Sequence, residues 1–249
     1  MTDRALYIAM TGASANLQAQ ASVSNNLSNA DTVGFQATLD GTLAAPVTGA
    51  GLASRVAVAH RTLGVSAMPG ALQNTGGELD VALHADRWLS VQAPDGSTAY
   101  TRAGNLQLTP NGLLTTASGL PVLGNDGAPL AIPPYQSLHI GADGTISIVP
   151  QGQPASTLTE GGHIGIVQAA TRDLVRGDDG LMRAAPGATP PAPATGASLT
   201  SGALEGSNVD ATGMLVSMIQ LARQFETQVR LLHTEDQNAQ SANSLLSSR

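Results

Sequence analysis

Proline and glycine divide this chain into three parts. All fourteen prolines lie between Pro46 and Pro193. Residues 1–33 hold a single glycine, Gly12, and residues 214–249 hold none. Proline removes a helix donor and clashes with the preceding turn, and glycine costs about 1 kcal/mol in a helix interior. Both ends are therefore free to be long helices, and the middle is not.

The ends also carry a helical pattern. In the first, Leu6, Met10, Ala13, Leu17, Gln20, Ser24 and Leu27 step alternately by four and three residues, the spacing of a seam against a partner helix. Asn25, Asn26, Asn29 and Asp31 compete for backbone hydrogen bonds, so this helix is expected to stop near Asn29 and turn by Gly34. In the last segment, Ser207, Asn208 and Asp210 offer caps. After them Met214, Met218, Leu221, Phe225, Gln228, Leu232, Glu235, Ala239, Ala242 and Leu246 repeat the spacing. One partner helix covers one stripe, so the apolar surface of both ends calls for further copies to bury it.

The middle changes period. Asp95-Gly96, Asn111-Gly112, Asp126-Gly127, Asp143-Gly144 and Asp179-Gly180 are Asx-Gly pairs of the kind that tight hairpins require. Short β-like runs lie between them, among them Leu79–Leu83, Trp88–Gln92, Leu106–Thr109, Thr145–Val149 and Ile164–Ala169. The expected fold class is α+β: N- and C-terminal helices pairing in a coiled-coil-like layer, with an inserted antiparallel all-β domain. The expected parts are a helical segment at 1–35, an extended irregular region at 36–77 with one strand at Arg55–Ala59, a β domain at 78–185, a Pro/Ala/Gly linker at 186–206, and a helical segment at 207–249.

Charge and composition exclude several functions. The net charge is −7, all eleven basic residues are Arg, and no basic run occurs. Nucleic acid and anionic membrane are therefore not expected partners. There is no Cys, so no disulfide or thiolate nucleophile. Thr11, Gly12, Ser14 and Asn16 interrupt the N-terminal apolar pattern, which argues against a cleaved signal, and no segment is apolar enough to insert in a bilayer.

Chemistry is sparse. His60, His84, His139, His163 and His233 are scattered without metal-ligand spacing, and the Asp turns lack the alternating oxygens of a calcium loop. Glu78, Glu160 and Glu205, the glutamates between the helical ends, are expected in glycine-rich turns, a poor setting for a catalytic carboxylate. No catalytic residue, cofactor or metal is expected. Arg176-Gly177-Asp178 reads as a plain hairpin, not an adhesion signal. Trp88 is expected to anchor the β core, and Phe35 to pack just past the first helix.

The stretch Val23-Ser24-Asn25-Asn26-Leu27-Ser28-Asn29-Ala30-Asp31-Thr32-Val33-Gly34-Phe35 near one end resembles a family signature, as do Ser207-Asn208-Val209-Asp210 and Met218-Ile219-Gln220-Leu221-Ala222-Arg223-Gln224-Phe225 near the other. Between them, Glu78–Leu83, Trp88–Gln92 and Tyr100–Gly104 extend the match. Together they resemble the bacterial flagellar basal-body rod protein family, the axial proteins of rod and hook. Arg176–Leu181 and the chain length are most like its proximal rod members.

The resemblance implies a structural, non-enzymatic subunit. It implies export through the flagellar type III apparatus without signal cleavage, and polymerisation with copies of itself and other rod proteins into a torque-transmitting shaft across the periplasm. The assembly residues carried over or read from the seams are Leu6, Met10, Leu17, Asn25, Asn26, Leu27, Asn29, Gly34, Phe35, Asn208, Met214, Met218, Leu221, Arg223, Phe225 and Leu232. Two alternatives remain: a distal rod or hook subunit, or, from another class, a peptidoglycan-remodelling enzyme of the same apparatus.

Overall fold

The computed structural model describes residues 2–47, 56–154 and 156–247. It is α+β: two long helices, α1 (Thr2–Ser28) and α2 (Ala211–Ser247), with antiparallel strands between them. The chain forms two compact units. One combines Met1–Ser28, Thr38–Leu63 and Asp210–Arg249, and the other combines Asn29–Ala37 and Gly64–Val209.

In the first unit α1 and α2 lie against each other. Asn16 Nδ2 donates to Gln228 Oε1 at 3.1 Å. Gly12 leaves room for the Gln228 amide, since a methyl group there would stand 2.9 Å from Nε2 and displace that side chain. The Asp210 carbonyl accepts from the Met214 N–H, opening α2 in the manner of a cap residue. Asn26 is buried and grips the strand that follows: its Nδ2 donates to the Thr38 carbonyl at 2.9 Å, and its Oδ1 accepts from the Thr38 N–H at 2.8 Å. That two-way exchange copies the pairing of two strands.

Residues 36–77 are more regular than the sequence suggests. β1 (Thr38–Pro46) and β2 (Val56–Val65) pair as a two-stranded ribbon, and β3 (Leu72–Asn74) follows. The expected strand at Arg55–Ala59 is the start of β2, with Arg55 itself outside the described residues. A two-stranded ribbon buries little on either face, so it lacks the alternation by which strands are read. Leu39, Leu43, Val56, Val58 and Leu63 all remain exposed.

The second unit holds the apolar core. β5 (Arg87–Gln92) and β6 (Thr98–Thr101) pair as a hairpin at the centre of a six-stranded antiparallel sheet. Side chains alternate across β5. Leu89 and Val91 join Val81, Leu114, Val122, Ile140, Ile146, Ile148, Ile164 and Leu199 in the main core. Trp88 points to the other face, into a smaller cluster with Val65, Leu174 and Met182, and its Nε1 donates to the Ala169 carbonyl at 3.0 Å. Between Pro186 and Gly196, Ala192–Pro193 pairs with the strand at Ile166–Gln168, so part of the expected linker edges the sheet.

β4 (Val81–Leu83) pairs with Leu199–Ser201, and β3 pairs with Ala203–Glu205. These two ladders bring the C-terminal end of the unit back beside residues that lie over a hundred positions earlier.

Candidate functional site

Several polar side chains that would not be expected inside a β domain are buried together where those ladders end. Arg102 is 5% exposed and Glu205 is 1% exposed. Glu205 sits at the end of Ala203–Glu205, held against β3, and Arg102 follows β6. Arg102 Nε donates to Glu205 Oε2 at 2.8 Å, and Nη2 donates to the same oxygen. The rest of the guanidinium is consumed by carbonyls: Nη2 donates to Leu83 at 2.9 Å, and Nη1 to His84 at 3.2 Å and Arg87 at 2.8 Å. A planar fork of five donors fits such a cage, and an ammonium would not. The Arg102 guanidinium also lies 5.6 Å from the centroid of the Trp88 ring.

The other carboxylate oxygen of Glu205 faces two further donors. Gln36 Nε2 reaches Oε1 at 3.2 Å, and the Gly70 N–H at 3.0 Å. Asn208 completes the arrangement. Its Oδ1 accepts from the Ala37 N–H at 2.6 Å, and its Nδ2 donates to Gln36 Oε1 at 2.9 Å and to the Met68 carbonyl at 2.7 Å. The Gly34 N–H donates to the Glu205 carbonyl at 2.7 Å. Residues 34–37, which follow α1, and residues 205–208, which precede α2, are thus clasped to one another.

Gly34 is required on two counts. Its φ is +68°, which L side chains rarely adopt, and a methyl group there would collide with the Arg102 backbone carbonyl. On the outer side, the Arg176 guanidinium stands 4.5 Å from the Phe35 ring centroid and donates to the Gln36 carbonyl. Burial pushes Arg176 below its ordinary value, though an arginine still carries its charge. Its side chain is committed to residues 35 and 36, so the Arg-Gly-Asp tripeptide is not displayed as a recognition loop.

Glu160 and Glu205 correct one expectation: both lie in strands, not turns, and Glu205 is buried. With four N–H donors on its two oxygens it is an acceptor in an ion-pair network, with no face open to a substrate. The histidines behave as isolated side chains: His84, His139 and His233 are exposed, His163 Nδ1 contacts the Ile164 carbonyl at 2.9 Å, and His60 lies 3.5 Å from Asp40. Among the described residues, no group of three or more His, Asp or Glu side chains is arranged to hold a metal.

The seam residues divide by helix. On α2 the expected stripe is the one that packs: Met214, Met218, Leu221, Phe225, Gln228 and Leu232 are half-buried, with Arg223 exposed beside them. The side chains of Ala239, Ala242 and Leu246 lie outside the described residues. On α1 the packed stripe is different. Ile8, Gly12, Ala15, Ala19, Ser22 and Asn26 are buried or half-buried, each two positions beyond the corresponding expected residue. Met10 and Leu17 are 56% and 50% exposed, Leu27 is half-buried, and the Leu6 side chain lies outside the described residues. Of the motif residues, Asn26 holds Thr38, while Gly34, Phe35 and Asn208 belong to the clasp; Asn25 is exposed and Asn29 half-buried.

Sequence reasoning missed Arg102, Glu205, Gln36 and Arg176 as a group. The usable signal was in the Tyr100–Gly104 and Gly206–Asp210 stretches, where a charged residue sits beside glycines that let backbones meet. Gly70 is such a case, since a methyl group on it would strike the Gly206 carbonyl.

Comparison with known proteins agrees along the whole length. Residues 6–36 match the family described as flagella basal body rod protein. Residues 82–148 match the flagellar hook protein FlgE/F/G D1 domain, and residues 200–245 the flagellar basal body rod FlgEFG protein C-terminal family. The chain is 44% identical over 250 residues to the flagellar basal-body rod protein FlgF of Escherichia coli (strain K12), covering 98% of this chain and 99% of that one. It is 43% identical to FlgF of Salmonella typhimurium with the same coverage. It is 35% identical to FlgG of Bacillus subtilis (strain 168), over 94% of this chain and 96% of that protein.

Proposed function

This chain belongs to the flagellar basal-body rod protein family, whose members are structural and not enzymes, and we propose that it is a subunit of the proximal rod that polymerises through its terminal helices. The 44% identity to FlgF of Escherichia coli over nearly the full length of both chains supports a rod subunit, and the resemblance of Arg176–Leu181 and the chain length to proximal rod members supports the proximal position. The shaft then crosses the periplasm, and the subunit reaches it through the flagellar export apparatus. Its partners are other copies of itself and the neighbouring rod proteins.

One observation carries the polymerisation. Among the described residues of α1, only Gly12, Ala15 and Asn26 are fully buried, and no described residue of α2 is. Helices of 27 and 37 residues draw their stability from packing an apolar face, and these have little of it packed. Tyr7, Met10 and Leu17 on α1, and Leu215, Val216 and Ile219 on α2, each have half or more of their surface in solvent. In the proposed shaft these stripes meet neighbouring copies, so that the terminal helices pair in a coiled-coil-like layer.

Leu17→Asp is the discriminating variant. Leu17 is exposed within the chain, so the substitution leaves the subunit folded while abolishing polymerisation and swimming. Normal motility with Asp at this position would refute the reading. Imaging basal bodies after deletion of the gene separates proximal from distal: a shaft lacking its first segment supports the proximal assignment, and a complete rod without a hook overturns it.

A further inference from the structure

The two connectors of the clasp are far apart in sequence, yet each supplies part of the other's polar partners, beside those that Arg102, Gly70 and Met68 provide. Gln36 is the shared link: its Nε2 donates to Glu205, and its Oε1 accepts from Asn208. The backbones are tied separately, Gly34 to the Glu205 carbonyl and Ala37 to the Asn208 side chain. The loop at residues 66–70 is tied to both, because the Ser66 N–H donates to the Ala37 carbonyl at 2.7 Å and Asn208 holds the Met68 carbonyl. The main apolar core uses none of these groups. Its side chains come from residues 81–199, and it is closed by ladders such as β5 with β6.

We infer that the clasp is a reciprocal latch. The second unit has a state in which residues 34–37 and 205–208 let go together while the apolar core stays closed. The connectors release as a pair because neither keeps its full set of buried and part-buried hydrogen bonds alone. Losing residues 34–37 strips Glu205 of Gln36 and Asn208 of both Gln36 and Ala37. Losing residues 205–208 leaves Gly34, Gln36 and Ala37 without acceptors. Buried polar groups left unpaired are costly, so half-open states are sparsely populated. Whatever grips the segment leading from α1 therefore alters the hold on the segment leading into α2, and the coupling runs equally in both directions. This rests on contacts within the chain and stands whether or not the subunit occupies the proximal rod.

Hydrogen exchange on the full-length chain, read amide by amide, tests it. Asn208→Ala perturbs the C-terminal connector. It should speed exchange about tenfold or more at Gly34 and Ser66, the scale expected when one buried hydrogen-bonding partner is lost. Arg176→Met perturbs the other side, since Arg176 stacks on Phe35 and donates to the Gln36 carbonyl. It should speed exchange comparably at Gly70 and Gly206, whose N–H groups donate to Glu205 Oε1 and to the Ala71 carbonyl. The core amides of Ser90, Val122 and Leu123 should stay within about twofold of the parent chain. Acceleration confined to the mutated side would overturn reciprocity. Equal acceleration of the core amides, or failure of either variant to fold, would show that the clasp does not open separately and would also overturn the inference.

Discussion

Replacing Glu205 with Ala should be among the most damaging single changes in the second unit. Arg102 and Glu205 are 5% and 1% exposed, so the guanidinium left behind has little water to turn to. Its carbonyl partners at Leu83, His84 and Arg87 supply dipoles but no countercharge. Breaking a buried pair by removing one partner typically costs about 3–5 kcal/mol. The Gln36 and Gly70 donors lose their acceptor at the same time. With a urea slope of about 2 kcal/mol/M, a loss near 4 kcal/mol moves the unfolding midpoint down by about 2 M. Trp88 is the single tryptophan, and it is buried beside Arg102, so its fluorescence reports this unit alone. Glu205→Gln should lose nearly as much, because it removes the charge and turns an amide N–H₂ or a neutral oxygen towards Arg102. Combining Glu205→Leu with Arg102→Leu should recover part of the loss by removing the stranded charge. A midpoint shift below about 0.5 M for Glu205→Ala would refute the reasoning, since it would mean Arg102 is adequately solvated without its partner.

Gly34→Ala combines a left-handed backbone with a collision against the Arg102 carbonyl, and should destabilise the same transition by about 2–4 kcal/mol; an unchanged midpoint would count against the clasp geometry. Asn26→Ala removes both hydrogen bonds to Thr38 from a buried side chain, and hydrogen exchange at the end of α1 and the start of β1 should rise by roughly tenfold or more. The Asp143 carboxyl is held below its ordinary value of 3.8 by the Thr145 backbone N–H and then by the Thr145 hydroxyl. Asp179 is held below it by the Arg183 side chain, with the Leu181 N–H assisting. A lowered carboxylate stabilises fully above its unfolded value and loses that contribution as pH falls through the folded one, so both turns weaken below about pH 4. Asp143→Asn should flatten that acid limb of the stability profile, and an unaltered limb would speak against the assignment.

Much of the β domain was legible because its turns are chemically explicit. Asp95, Asp126, Asp143 and Asp179 each accept from a backbone N–H two residues on, and the glycine that follows each takes a positive φ. The strands between them alternate strongly enough to read, as β5 shows. The clasp was illegible for the opposite reason. Arg102, Glu205 and Gln36 lie 103 to 172 residues from the side chains they meet, and each is a type usually found in solvent. Nothing local separates a buried Glu205 from an exposed Glu78, because what buries it is strand pairing with β3.

In the α1 helix two faces carry the same spacing. Its expected and observed stripes differ by two residues, which turns the face by about 200°, so both carry the same four-three spacing. Period alone cannot choose between them. The spacing from Leu6 through Met10 and Leu17 to Leu27 fits one face, and the spacing from Ile8 through Gly12 and Ala15 fits the other. The packing instead places Gly12 and Ala15 inward, where small side chains let Gln228 and Asn16 come within hydrogen-bonding distance. The larger Tyr7, Met10 and Leu17 are left pointing away. A helix serving only its own chain places polar residues on that outer face. Apolar side chains there, on the far side of a face already used, describe a helix with two surfaces to cover. Among the described residues only one of them is covered within the chain, and the other is the surface that the proposed polymerisation would bury.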